Sequence, residues 1–331
     1  MIRLGKTLSF LLFCLILSSL LKAGIQSFNS GPEKAGNSAV QLNIYSMPPT
    51  VYNQLTGVNT PSGILPFNKL SVRMCRGEFE PLSLFLQPGT PVNNIQFSWS
   101  DFAGTQGSFS KKELDVSIAK VWYQSGYLSS QTNNKHLIQE VLVKNDKLIT
   151  VDYNTQTNYL LVSKNGLSYY QNISDPAGTF PGDVIVKDST SIQSFSLDGA
   201  TNRQIWLTVH VPDGTLPGKY TSQFSVSCDQ GMILSFPVEV EVLPFDLAPS
   251  RLTYSIYYDG YADPYTKVPY SFTTKTPEQY RIEMQDMKDH GVLYPTTYQI
   301  LKNLDLDLQI RQQVGLPNDK LYAVSLETGN S

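Results

Sequence analysis

The chain has 331 residues, of which 41% are hydrophobic and 16% charged, enough for two domains that each bury a core. A formal net charge of -3 and an isoelectric point near 5.7 exclude the electrostatic case for a nucleic-acid partner or an anionic lipid surface. The 19 tyrosines, with frequent Asn, Ser and Thr, suit a polar, aromatic surface outside the cytoplasm.

The first stretch reads as a targeting segment. Arg3 and Lys6 precede an apolar run over residues 7–21, and the small residues Ala23 and Gly24 follow. That is the build of a signal peptide over residues 1–24, and the run is short for a membrane span of ~20 residues. The expectation is export to the periplasm or the medium, with no membrane span after cleavage. Phe13 before Cys14 does not suit a lipoprotein processing site. Cys75 and Cys228 then remain; they could pair in an oxidising compartment, but both lie on apolar faces of strand-like runs and the favoured expectation is two buried thiols.

Residues 38–248 read as an all-β sandwich. Strand-like runs occupy residues 40–45, 69–76, 80–86, 114–123, 138–142, 147–152 and 158–162. Between Lys164 and Ala200 the pattern weakens into Gly, Ser, Asp and Pro, as in long loops or an insertion. Alternation returns with Ile205, Leu207, Val209 and Val211 opposite Trp206, Thr208 and His210. It continues with Tyr220, Phe224, Val226 and Cys228, and then Phe236, Val238, Val240 and Val242 opposite Glu239 and Glu241. Many short strands separated by turn signals, with no helix, predict a sandwich.

A seam follows at Pro244 and Pro249, after which the pattern becomes alternately β and α. A strand is expected over residues 253–258. Thr276-Pro277-Glu278-Gln279 is a helix start with a capping box, Tyr280, Met284 and Met287 share a stripe, and Gly291 supplies the stop. Residues 292–297 read as a second strand. Leu304, Leu306, Leu308 and Ile310 alternate as a strand would, yet their i,i+4 pairs and the closing Gly315 and Pro317 make residues 304–314 a helix. Residues 321–326 read as a third strand. A strand-helix-strand-helix-strand order over residues 249–331 predicts the truncated start of an α/β (β/α)8 barrel, which needs ~200 residues or more in full. A small, self-contained three-stranded α/β domain is the rival expectation.

Several phrases give this pattern a relative: R-G-E-F-E-P (76–81), K-V-W-Y-Q (120–124), R-Q-I-W-L-T-V-H-V-P (203–212), P-G-K-Y (217–220), V-L-P-F (242–245) and D-M-K-D-H-G (286–291). Taken together, and in this order, they resemble glycoside hydrolase family 123 and its uncharacterised bacterial relatives. The resemblance implies a sandwich followed by a catalytic barrel and hydrolysis of terminal N-acetylhexosamine residues, N-acetylgalactosamine-like, with retention. In that mechanism the substrate's acetamido oxygen attacks the anomeric carbon, an Asp orients the acetamido group, and an adjacent Glu acts as acid and base. This sequence has no Asp-Glu dipeptide, so no catalytic residue carries over. The pair is expected beyond Ser331, and these residues alone are expected to be inactive.

The rim of such a barrel is where its strands end. Those ends carry Tyr257, Tyr258 and Asp259, then Thr297, Tyr298 and Gln299, then Glu327. Tyr258, Asp259 and Tyr298 are the substrate-binding candidates, because aromatic faces stack on sugar rings and carboxylates accept from hydroxyls. A carbohydrate is the expected partner. No cofactor or metal is expected, since His136, His210 and His290 lack ligand spacing. The alternative is a non-catalytic glycan- or protein-binding sandwich, for which Trp122 and Trp206 would be the platform.

Overall fold

The computed structural model of the chain describes residues 40–49, 66–125, 135–174, 184–248, 251–265, 273–299 and 301–323. The expected signal peptide, residues 1–24, and Glu327 lie outside the described residues. The chain divides into two compact units, the first of residues 1–158 and 188–247, the second of residues 159–187 and 248–331.

The first unit is β throughout, apart from short 3₁₀ turns. In chain order its strands are β1 (Leu42–Ser46), β2 (Leu70–Met74), β3 (Phe79–Pro88), β4 (Val92–Trp99), β5 (Phe102–Gly104), β6 (Gly107–Phe109), β7 (Leu114–Ser125), β8 (Lys135–Val143) and β9 (Ile149–Asp152). After β10 (Thr157–Lys164) and β11 (Leu167–Asn172), it resumes with β12 (Phe195–Leu197), β13 (Arg203–His210), β14 (Gly218–Cys228) and β15 (Gly231–Val242). One sheet runs β1-β3-β13-β7-β8, and a second runs β12-β4-β14-β15-β2 with β5 and β6 attached to β14. Neighbours in the first sheet are antiparallel, and β2 closes the second by pairing parallel to β15.

Alternation explains both sheets. Ile205 sits between Leu84 and Ile118, and Leu207 between Leu82 and Val116, so one face of the first sheet is a continuous aliphatic surface. Tyr220, Phe224, Phe236, Val238 and Val240 do the same for the second sheet, all 2% exposed or less. Two sheets with dry faces of this kind bury them against one another. The opposite face of the first sheet has a small core of its own, where Phe85, Met47 and Val121 meet Tyr45 and Leu137.

Several expectations change. Cys75 is buried but Cys228 is only half-buried, its Sγ 3.0 Å from Gln230 Oε1, and both thiols are free. Cys228 is the last residue of β14, at the turn into β15, where the strand leaves the covered part of the sheet. The stretch after Lys164 is not all loop: β11 forms a hairpin with β10. Its residues are exposed on both faces, so it carries no hydrophobic alternation to read. β4 escapes notice for a related reason, since Asn93 and Asn94 dilute its pattern and Asn94 has a positive φ of 55°. Trp206 is half-buried with its indole donating to Thr208 Oγ1, and so is not an open platform.

The second unit contains two helices, α1 (Pro277–Asp289) and α2 (Leu304–Val314). The capping box forms as its sequence requires: Gln279 N donates to Thr276 Oγ1 and Thr276 N to Gln279 Oε1. Gly315, at φ 76°, ends α2 in the left-handed conformation that glycine adopts freely. Ala262, Tyr280, Met284, Ile310, Val314 and Leu316 form the core between the helices. A short parallel pair, β16 (Tyr261–Ala262) with β17 (Thr274–Lys275), precedes α1 and was not expected. Among the described residues the three expected strands do not form; single links join these segments instead, Thr296 N donating to Ile256 O, Thr297 N to Tyr322 O, and Thr297 and Ala323 making one parallel bridge. Residues 324–326 of the third lie outside the described residues.

Phe224 is fully buried and packs on Trp99 with ring centroids 5.7 Å apart. Phe224→Ala should therefore cost about 3–5 kcal/mol, read as a lower denaturant midpoint, whereas Ser225→Ala on the wet face should leave the midpoint unchanged.

Candidate functional site

The site starts from a buried ion pair. Asp307 is fully buried in the first turn of α2, and Arg311 follows one turn later with its Nε 2.8 Å from Asp307 Oδ1. Asp307 also accepts from the Tyr280 hydroxyl on α1, and Thr297 Oγ1 donates to its Oδ2 at 3.0 Å. Arg311 extends the network outward: Nη1 donates to Pro295 O at 3.1 Å, and Nη2 donates to Thr296 O and the Tyr280 hydroxyl at 3.2 Å. Burial and the Asp307 charge push the Tyr280 phenol up, so it remains a donor. Both helices thus hold the segment from Pro295 to Thr297 in place.

That segment orients the next one. Tyr258 N donates to Thr296 Oγ1 at 2.8 Å, and the same hydroxyl donates to Tyr258 O at 3.1 Å. The Tyr258 ring turns towards α1, 6.0 Å from Tyr280 between centroids, and its hydroxyl donates to Glu283, which pairs with Lys275 at 3.1 Å. Burial and that hydrogen bond push its phenol well up. The ring also lies over Gly260, where a Cβ would fall 2.3 Å from the Tyr258 hydroxyl oxygen, so a larger residue there would displace the ring.

Successive side chains of an extended segment point to opposite sides. Tyr258 and Thr297 turn to the helices, and alternation sends Tyr257 and Tyr298 the other way. The contacts agree: the Tyr257 and Tyr298 rings meet edge to face at 5.2 Å and 73°. Burial, the hydrogen bond its hydroxyl shares with Tyr257 and the Asp259 charge push the Tyr298 phenol up to about 12. Of the three sequence candidates, Asp259 lies close enough to Tyr298 for its charge to act on the phenol, whereas Tyr258 is set apart as a helix-facing strut. Tyr257, 70% exposed, takes its place in the cluster. Tyr257, Asp259 and Tyr298 offer ring edges, two phenols and a carboxylate, a set suited to hydroxyls and C–H faces of a sugar.

Sequence reasoning missed the network beneath. Its signal was present as Asp307 and Arg311 at i,i+4 among the leucines of α2. Gln299, named at the segment's end, is fully buried with neither amide atom hydrogen-bonded. His290 is the C-cap of α1, and His210 pairs with Glu113 at 2.6 Å while stacking on Phe79. Among the described residues no group of three His, Cys, Asp or Glu could hold a metal, and no helix is long and apolar enough to cross a membrane.

No family model matches this chain, and no curated protein does. Among solved structures, a family 123 glycoside hydrolase from Clostridium perfringens is similar at 15% identity and a TM-score of 0.49, covering 77% of this chain and 42% of that one. The chain thus spans less than half the length of that hydrolase. A PapD-like domain of human CEP192 (10% identity, TM-score 0.24, 67% of this chain and 99% of that one) and the N-terminal domain of PorA (8%, 0.21, 60% and 97%) are more distant likenesses.

Two outcomes are expected. Asp307→Asn keeps the shape but leaves Arg311 unpaired and buried, and should cost about 3–5 kcal/mol in chemical denaturation, while Asp307→Leu with Arg311→Met recovers most of it. The Tyr298 phenol should titrate near 12 against an ordinary value of about 10, seen as the difference in phenolate absorbance between the parent chain and Tyr298→Phe. Because its folded value is raised, its contribution to stability is complete below the ordinary value and is lost as pH rises through the folded one.

Proposed function

We propose that this chain is the front portion of an exported glycoside hydrolase acting on terminal N-acetylhexosamine residues, and that the second unit is the opening of its (β/α)8 barrel. The observation that carries the reading is the Tyr257, Asp259 and Tyr298 cluster. Tyr257 and Tyr298 meet edge to face where two neighbouring segments end, and in this reading the cluster lies on the side away from both helices. In a barrel that side is the interior, and the segment ends are its working face. The order of the segments, 256 beside 296 and 297 beside 322–323, the latter parallel, supports the sequential order a barrel would use.

In this reading the cluster binds and orients. Asp259 accepts hydroxyl protons, the Tyr298 phenol stays protonated and donates, and the Tyr257 ring edge packs on the sugar's apolar face. The reaction that the family resemblance implies would proceed by attack of the substrate's acetamido oxygen, with one carboxylate orienting that group and a second giving a proton to the leaving oxygen. We assign neither role to a residue of this chain and propose that sequence outside these 331 residues supplies the pair.

Calorimetric titration of the full chain with N-acetylgalactosamine tests the reading. Binding on the order of 1 mM is expected, weakened about tenfold or more by Tyr298→Ala and by Asp259→Asn, and unchanged by Tyr258→Phe. Absence of binding, or binding indifferent to Tyr298 and Asp259, overturns the assignment. Release of nitrophenol from an aryl N-acetylgalactosaminide by this chain alone would overturn the placement of the acid and base.

A further inference from the structure

The first unit contains a second polar constellation, independent of the reading of the second unit. Lys120 on β7 shares a face with Val116 and Ile118, and Arg203 on β13 shares one with Ile205 and Leu207. The ladder that sets Gln204 opposite Ala119 sets Arg203 beside Lys120. At this end the aliphatic face of the sheet gives way to two cations, each 6% exposed. One carboxylate serves both: Lys120 Nζ donates to Asp146 Oδ1 at 2.9 Å and to Asp146 O at 2.8 Å, while Arg203 Nη2 stands 3.5 Å from the same Oδ1.

The cluster is one negative charge short, and its donors are not used up. Arg203 Nε and Nη1 are buried without an acceptor, and so is the indole Nε1 of Trp122, two residues along β7 on the same face as Lys120. Buried guanidinium and indole N–H groups are normally satisfied. Asp198, a further acid whose charge reaches Tyr153, is committed to its own turn through Ala200 N, Thr201 N and Thr201 Oγ1. The cluster lies close to solvent, since Tyr153, which feels both Arg203 and Asp146, is 43% exposed and packs edge-on against Tyr123.

The geometry points to a binding site for one carboxylate, in which Arg203 and the Trp122 indole donate to the oxygens, Lys120 and Arg203 balance the charge, and the Tyr153 ring forms the outer wall. A monoanion supplies the single missing charge, and a planar oxyanion suits guanidinium and indole donors. The carboxylate could belong to an acidic sugar or to a free short-chain acid.

The Trp122 indole N–H is the reporter. The chain has three tryptophans, and the other two indoles already have acceptors, Trp99 in Lys111 O at 2.8 Å and Trp206 in Thr208 Oγ1 at 3.1 Å. With ¹⁵N-labelled tryptophan and assignment by Trp122→Phe, the full chain is titrated with sodium glucuronate, sodium acetate and glucose against sodium chloride at matched ionic strength. Expected is a saturable downfield shift of the Trp122 signal alone, with half-saturation on the order of 1 mM, weakened about tenfold in Arg203→Lys, which keeps the charge but loses the planar donors. A shift with glucuronate only identifies an acidic sugar, and an equal shift with acetate identifies a free carboxylate. Glucose acting as well as glucuronate, or neither anion moving the signal, overturns the site. If Arg203→Lys loses its dispersed spectrum, Lys120→Met is read instead, with the same tenfold weakening expected and an unchanged titration counting against the site.

Discussion

The second unit depends on one buried ion pair. Asp307 and Arg311 belong to a single turn of α2, yet between them they reach the Tyr280 hydroxyl on α1 and the backbone or side chains of Pro295, Thr296 and Thr297. A carboxylate and a guanidinium buried together are stable only when their remaining hydrogen-bonding capacity is filled. Here two carbonyls, a threonine hydroxyl and a tyrosine hydroxyl fill much of it. The pair therefore specifies where the extended segment lies and which way its residues face. The direction of Tyr298, and through Thr296 that of Tyr257, Tyr258 and Asp259, follows from it.

The first unit is governed by a different constraint, the period-two alternation of its strands. Most of that alternation is spent on burying aliphatic side chains, and its consequences are structural. At one end the same periodicity places Lys120, Trp122 and Arg203 where Ile and Leu would otherwise continue. Apolar faces tolerate such residues only when they have partners, and Asp146 partners them incompletely. In both units the residues with chemistry to offer are those that depart from the local pattern: two tyrosines and an aspartate around the helix-facing Tyr258, and two cations in line with a hydrophobic face.

Much of this was legible beforehand, and the failures have physical causes. Strong alternation, as in β13 and β15, marks strands that are wet on one side only. β11 was not legible because it is exposed on both faces, nor β4 because its asparagines interrupt the pattern. The capping box before α1 is a local device and reads locally. Residues 304–314 alternate as a strand would, and the i,i+4 relations that the helix uses, including Asp307 with Arg311, decided the matter correctly. Tyr258 shows the limit of reading segment ends. It lies between two cluster residues in sequence, but one step along an extended chain reverses its direction, and only the position of the helices tells which side is which.

Hydrogen exchange at Thr296 and Thr297 tests the central claim most directly, because these amides join the extended segments that the buried pair is held to position. The account predicts slow exchange at both in the parent chain and a joint loss of protection in Asp307→Asn, with the amides of β15 unaffected. Fast exchange in the parent chain, or protection that survives loss of the Asp307 charge, would contradict it.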